Sequence, residues 1–332
     1  MAKNTRSISF DIIKGVAIYL VVLGHSIQYL MGDGWQESVV GKCIYMFHMP
    51  LFIFISGYFF SPSADKSCVW DFVKKKFVRI LLPSITYGLM MIVVNTVLSS
   101  IKRHTLYVPF PDNMEYFGLW FLSVLFVISC LCRLFYNCKY YMYIYLLVAL
   151  LFVTLPDSVF MVHQLRYLFP YFVLGIVMKR LSIERFPLVA IMVAFILFVL
   201  CAVFYKMDYS MYFLSRDDSH YWLISAFRFI AGIAGIITMF GFYRVLSKSN
   251  FLTAMLTQLG GETLAIYFVH VGIFSLYARM HLETDNMIII VAASVLITYV
   301  SILIYRLFRK NKYLALVMFG ESSHNDKRII NN

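Results

Sequence analysis

Ionisable side chains inside an otherwise apolar stretch are the first places to look for chemistry. The segment RSISFDIIKGVAIYLVVLGH at 6–25 carries Asp11, Lys14 and His25. At helical spacing, Asp11, Lys14, Ile18 and His25 share one face. Lys14 and His25 then align three turns apart, separated by about 16 Å along the axis. Histidine exchanges protons near neutral pH, so His25 is a candidate general base or a transient carrier of a transferred group. A second histidine, His48, stands in the next apolar run, CIYMFHMPLFIFISG at 43–57. Two antiparallel helices would bring it to a depth comparable with that of His25. Pro50 can kink its helix and help to open a cavity. We take His25, His48 and Asp11 as the catalytic candidates. The plainer alternative is an i,i+3 ion pair between Asp11 and Lys14, with His25 as interhelical glue.

The elements that must position these residues follow from composition. Of 332 residues, 61% are hydrophobic and only 14% charged; the mean hydropathy is +0.78. Soluble domains run nearer ~45–50% apolar and ~25% charged, so most of the surface must face lipid. Ten apolar runs can be marked, at 12–31, 39–60, 80–98, 117–135, 140–155, 165–178, 187–205, 222–243, 264–278 and 287–308. A spanning helix takes about 20 residues, which leaves no loop long enough to fold as a separate catalytic domain. The expected fold is an all-α integral membrane protein, about ten transmembrane helices in a single bundle over 1–319, with a polar cytoplasmic tail at 320–332. The first run carries Asp11 and Lys14 at its start and no small-residue cleavage site after it, unlike a signal peptide.

Charge bookkeeping sets the orientation. With a cytoplasmic N-terminus and strict alternation, 20 of the 29 Lys and Arg fall on inner segments and 6 on outer loops. This positive-inside excess places 61–79 inside, 99–116 outside and both termini in the cytoplasm, in a cell inner membrane. It also accounts for the net charge of +12 without nucleic acid. Basic inner segments suit anionic lipids or an anionic cytoplasmic ligand. The six cysteines have no metal-ligand spacing and read as free thiols in apolar surroundings; no metal is expected. HExxH, GxSxG and Walker-type loops do not occur, which leaves zinc protease, hydrolase and P-loop readings without support.

Further charged and aromatic residues need a reason to be where they are. DFVKKKFVRILLP at 71–83 puts Lys74, Lys75, Lys76 and Arg79 at the cytoplasmic start of the third run. Positive-inside statistics account for the lysines; Arg79, against Ile80–Pro83, is a more pointed phosphate contact. Arg228 and His270 lie inside runs and must face a cavity or a polar partner. Trp120 stands near the outer boundary, where it suits an aromatic belt. His163, Arg166 and Tyr167 form an outer polar group suited to an acceptor.

These residues in order resemble the acyltransferase 3 family of integral membrane proteins. The resemblance covers almost the whole chain, and the fucose 4-O-acetylase-like branch is the most similar. It rests on Arg6, Asp11, Lys14, Gly15 and His25, on FHMPLFIFISG at 47–57, KKFVRILLP at 75–83, LWFL at 119–122, YLFPYFVLG at 167–175 and LGGETLAIYFVH at 259–270. Most of the family carries arginine where this chain has Lys14, a point charge in place of a planar fork. The resemblance implies transfer of an acyl group, commonly acetyl from cytoplasmic acetyl-CoA, to a hydroxyl of an extracytoplasmic or lipid-linked glycan. His25 matches the catalytic histidine; Lys14 and Arg79 match the basic positions of the donor side, and Lys75 and Lys76 join them as donor candidates by their charge on the same cytoplasmic face. Trp120, Arg166, Arg228 and His270 are the acceptor-side candidates. Expected partners are acetyl-CoA, the glycan and membrane lipids; a homo-oligomer is left open. The competing reading is a transporter or flippase for a lipid-linked sugar or small polar solute, with His25, His48 and Arg228 along its pathway.

Overall fold

The computed structural model describes residues 8–60, 68–103, 120–157, 159, 161–183, 185–210, 214, 216–277 and 283–321. All regular structure in them is helical. Thirteen α-helices follow in order: α1 Ile8–Leu30, α2 Val39–Tyr58, α3 Val69–Lys76, α4 Leu82–Arg103, α5 Trp120–Phe135, α6 Tyr141–Thr154, α7 Val162–Arg180, α8 Leu188–Phe204, α9 Tyr221–Leu246, α10 Asn250–Gly261, α11 Thr263–Tyr277, α12 Met287–Arg309 and α13 Lys312–Phe319. The described part of each of the ten apolar runs lies mainly on one of these helices.

Five helical stretches are long and apolar enough to cross a membrane unaided: Ile8–Leu30, Val39–Tyr58, Val69–Val94, Tyr221–Leu246 and Met287–Arg309. Counting α10 and α11 as one interrupted span makes six. Length and apolarity alone therefore give fewer spans among the described residues than the ten runs suggested, because α7, though 19 residues long, is not apolar enough to count and α5, α6 and α8 are short. Their outer faces are nonetheless apolar. Val189, Met192, Val193, Ile196, Leu200 and Val203 of α8 are all exposed, an apolar face that needs lipid against it.

The chain resolves into two compact units. The first holds residues 1–60, 140–263 and 277–298. Within it, α1 packs on α10 and α2 on α7, and glycines let the backbones meet. A Cβ on Gly15 would strike the Leu256 carbonyl, and one on Gly260 would strike the carbonyl of Asp11. Gly57 and Gly175 make the same arrangement between α2 and α7, against the carbonyls of Phe172 and Phe54. Small residues at helix crossings are how membrane helices approach closely.

The second unit holds residues 61–139, 264–276 and 299–332. Here the basic segment expected as an inner loop is helical instead. α3 runs through Lys74–Lys76, continues as one π-helical turn over Phe77–Leu81, and passes into α4. Lysine, arginine and the intervening apolar residues are adequate helix formers, so a cluster of cations need not break a helix. Gly320 caps α13 at φ 65°, with Gly320 N–H donating to Leu316 O and Glu321 N–H to Ala315 O. Its missing side chain lets the cap rest on Val78 and Arg79 of the π turn. The tail beyond Glu321 and residues 104–119, which hold most of the stretch expected outside (99–116), lie outside the described residues.

Candidate active site

α1 and α2 bring the two histidines into one polar network. His25 Nδ1 lies 3.2 Å from Gln28 Oε1, one turn on. The Tyr45 hydroxyl donates to that same oxygen at 2.8 Å. Tyr45 in turn sets its ring edge-on to His48, centroids 5.1 Å apart. His48 is buried, and its Nδ1 donates to the Ile44 carbonyl at 2.8 Å. A carbonyl can only accept, so His48 carries its proton on Nδ1 and keeps the Nε2 lone pair. With Gln28 Oε1 as acceptor, the same holds for His25. Both rings thus present Nε2 as the basic nitrogen. Pro50, two residues past His48, lies inside α2 and withholds one backbone N–H from the Met46 carbonyl.

The start of α1 follows the plainer alternative. Lys14 Nζ stands 2.6 Å from Asp11 Oδ1 as an i,i+3 pair. Asp11 is buried where Gly260 presses on its backbone. Asp11 thus pairs with Lys14 at the far end of the helix from His25, and the described geometry does not bring it together with the two histidines.

Arg166 and Arg228, also in the first unit, are held in contrasting ways. Arg166 Nη1 donates to Asp157 Oδ1 at 2.6 Å and to the Tyr221 hydroxyl at 2.8 Å; Nε and Nη2 donate to the Phe152 and Leu155 carbonyls. Arg228, only 4% exposed, lies over the Tyr167 ring at 4.1 Å from its centroid. His163 Nδ1 is 3.7 Å from Asp157 Oδ2.

In the second unit, Lys75 and Arg79 are exposed and Lys76 is half-buried, its Nζ 5.6 Å from the Phe72 ring centroid. Arg79 is thus no deeper than the lysines; it owes its position to the π turn, a feature that single residues in a sequence do not announce. π turns recur at functional sites. His270 is fully buried, with Nδ1 donating to the Ile266 carbonyl at 2.8 Å. Its ring meets Tyr267 and Phe274. Trp120 joins the same aromatic row through Phe121, which touches Tyr267.

Sequence reasoning missed Gln28, Tyr45, Asp157 and Tyr221. Gln28 is three residues after His25 and Tyr45 three before His48, so helical spacing offered both. Asp157 and Tyr221 reach Arg166 from separate elements and leave no such pattern.

Outside this geometry, comparison with known proteins is decisive for family. The acyltransferase domain of the acyltransferase 3 family matches residues 7–306. The chain belongs to the acyltransferase 3 family. Two relatives are both nodulation protein NolL. That of Sinorhizobium fredii is 27% identical over 82% of this chain and 79% of its own length; that of Mesorhizobium japonicum is 25% identical over 82% and 78%. No solved structure matches. As a family member with helices fit to cross a bilayer, the protein is a membrane acyltransferase.

Proposed function

We propose that this acyltransferase 3 protein is an O-acetyltransferase. It takes acetyl from cytoplasmic acetyl-CoA and delivers it to a hydroxyl of an extracytoplasmic or lipid-linked glycan, from a cell inner membrane that its chain crosses ten times with both termini cytoplasmic. The observation that carries the reading is the network of His25, Gln28, Tyr45 and His48. It fixes the proton of each histidine on Nδ1 and turns Nε2 into the base. In one route His25 Nε2 takes the acceptor's hydroxyl proton as its oxygen attacks the thioester carbonyl. The C–S bond then breaks, and the imidazolium returns the proton to the CoA thiolate. In the other, Nε2 attacks the thioester carbonyl, the C–S bond breaks and the CoA thiolate leaves; the acceptor hydroxyl then attacks the acetyl-imidazolium, the C–N bond breaks to free the imidazole, and the hydroxyl's proton ends on the thiolate. Both need the same nitrogen. Two separate sets of cations are candidates for the donor's phosphates: Lys14 in the first unit, and Lys75, Lys76 and Arg79 in the second.

Purified protein incubated with labelled acetyl-CoA and candidate glycans, followed by mass measurement of the products, tests the reading. Acetylated glycan that appears only with wild-type protein supports it. Movement of a solute across a vesicle membrane without acetyl-CoA consumption would favour a transporter instead. Orientation is tested separately: a Cys at Asp218, in a Cys43→Ser background, should react with an impermeant maleimide from outside, while native Cys68 and Cys138 should not.

A further inference from the structure

Arg228 lies two turns into α9, 4% exposed and always charged. A ring face offsets part of the desolvation of a guanidinium but accepts none of its N–H groups in the plane of the fork. Tyr167 supplies that face. Among the described residues, no carboxylate pairs with Arg228 and no acceptor takes a hydrogen bond from its guanidinium. The nearby carboxylate, Asp157, is committed to Arg166 at 2.6 Å. Beside this excess of positive charge stands His163, within electrostatic reach of both arginines, with Nε2 buried and lacking a hydrogen-bond partner. A buried permanent charge without a counter-charge is expensive, and inside a membrane protein such residues mark ligand pathways.

The surroundings also connect this position to the histidines. Tyr205 is in electrostatic reach of Tyr167 and Arg228, and it packs in one apolar cluster with Tyr45. Tyr45 reaches Gln28 and so His25. Tyrosine faces and hydroxyls along this row are suited to sugar rings.

We propose that Arg228, stacked on Tyr167 and flanked by His163, seats an anionic group carried by the acceptor. The acceptor is then an acidic glycan. Its negative group is either a uronate carboxylate or the pyrophosphate that links a glycan to its lipid carrier; both match the planar two-pronged donor set of arginine. The term acceptor rests on the acyltransferase reading, whereas the anion seat can be measured without turnover.

The test titrates purified protein in detergent with two pairs of probes and reads the rise in unfolding midpoint, from which an apparent Kd follows. One pair is methyl glucuronide and methyl glucoside; the other is citronellyl pyrophosphate and citronellol. We expect the charged member of one pair to bind and its neutral counterpart not to. The pair that responds names the source of the charge. Arg228→Gln should weaken that binding roughly 10- to 100-fold, and Arg228→Lys by a smaller factor because it keeps the charge but loses the fork. If Arg228→Gln does not fold, the Arg228→Lys titration decides. Equal binding of charged and neutral members, no response in wild type, or variants that titrate like wild type would each overturn the seat. Acetyl-CoA binding, measured on the same wild-type sample, reports on the acyltransferase reading alone. Its absence would sink that reading while leaving the anion titration to stand on its own result.

Discussion

His48 in α2 and His270 in α11 each turn Nδ1 back onto the carbonyl four residues earlier, at 2.8 Å in both cases. Both are buried, and both lie in apolar helices. Their neighbours separate them. His48 meets Tyr45, whose hydroxyl leads through Gln28 to a second imidazole. His270 meets the rings of Tyr267 and Phe274. Backbone anchoring fixes a tautomer but says nothing of chemistry. The difference lies in what the neighbouring tyrosine reaches: Tyr45 carries its hydroxyl to Gln28, beside His25. On this comparison His48 is grouped with His25 as a candidate for chemistry, and the contacts described for His270 are aromatic.

The largest expected effect tests the centre of that network. General-base catalysis contributes ~10²–10⁴-fold, so His25→Ala should lower the transfer rate by about that factor. His25→Gln keeps hydrogen bonding without a titratable nitrogen and should be nearly as inactive. Both variants must still bind CoA and unfold like wild type, and a folded His25→Ala protein at near wild-type rate would remove the histidine from the mechanism.

The next experiment asks whether the two anchored histidines really differ. His48→Gln should cut the rate by roughly tenfold or more, equivalent to about 1.4 kcal/mol of barrier. His270→Gln should leave the rate within about threefold while lowering stability by about 1–3 kcal/mol, since the new side chain need not satisfy the Ile266 carbonyl. A larger rate loss from His270→Gln than from His48→Gln would reverse the comparison.

Tyr45→Phe removes one hydroxyl and keeps the ring beside His48. The lost bond to Gln28 is worth about 1 kcal/mol, so the rate should fall by about fivefold, with His25 freer to change tautomer. Steady-state kinetics should show the loss in kcat more than in KM for acetyl-CoA. An unchanged kcat would disconnect the two imidazoles.

The smallest effect lies at the start of α2. Lys42 Nζ donates to Glu37 Oε2 at 2.9 Å, and that bond, with the lysine's charge, holds the Glu37 carboxyl below its usual range. A depressed carboxylate stabilises the fold above its unfolded pKa and loses that contribution as pH falls through its folded pKa. Glu37 is exposed, so screening keeps the contribution small. Glu37→Gln should therefore differ from wild type slightly above the carboxylate range and converge with it in acid. Unfolding midpoints measured across pH check this, and a gap that widens in acid would contradict the assigned sign.

Much of this arrangement was legible in the residues. Asp11, Lys14 and His25 stood out because each is ionisable in an apolar run, and their spacing named the ion pair as well as the histidine. Arg228 stood out for the same reason. Tyr167 was singled out too, but in a group with His163 and Arg166; its stacking on Arg228 was not read, because stacking across helices has no sequence period. Gln28 escaped because an amide in an apolar run carries no charge to draw attention, though its position three after His25 is the same signal that paired Asp11 with Lys14. The stretch NFLTAMLTQLGG, α10, was too short to register as a span. Yet it supplies the surface on which α1 rests. The basic segment 71–79 was read by its charge as a loop, where its backbone continues as helix.

The bare crossing of Gly15 on Leu256 and of Gly260 on Asp11 makes α1 a gauge rod, clamped at one end and read at the other. With no side chain to give way, the clamp admits neither sliding nor turning. The phase of His25 is then a matter of counting residues from the clamp. One residue inserted between Gly15 and His25 would swing the imidazole by about 100° and lift it about 1.5 Å. Four would restore its bearing to within about 40° but leave it about 6 Å too far along the axis. On the proposed mechanism, the length between clamp and imidazole is therefore as much a part of the reactive centre as the imidazole itself.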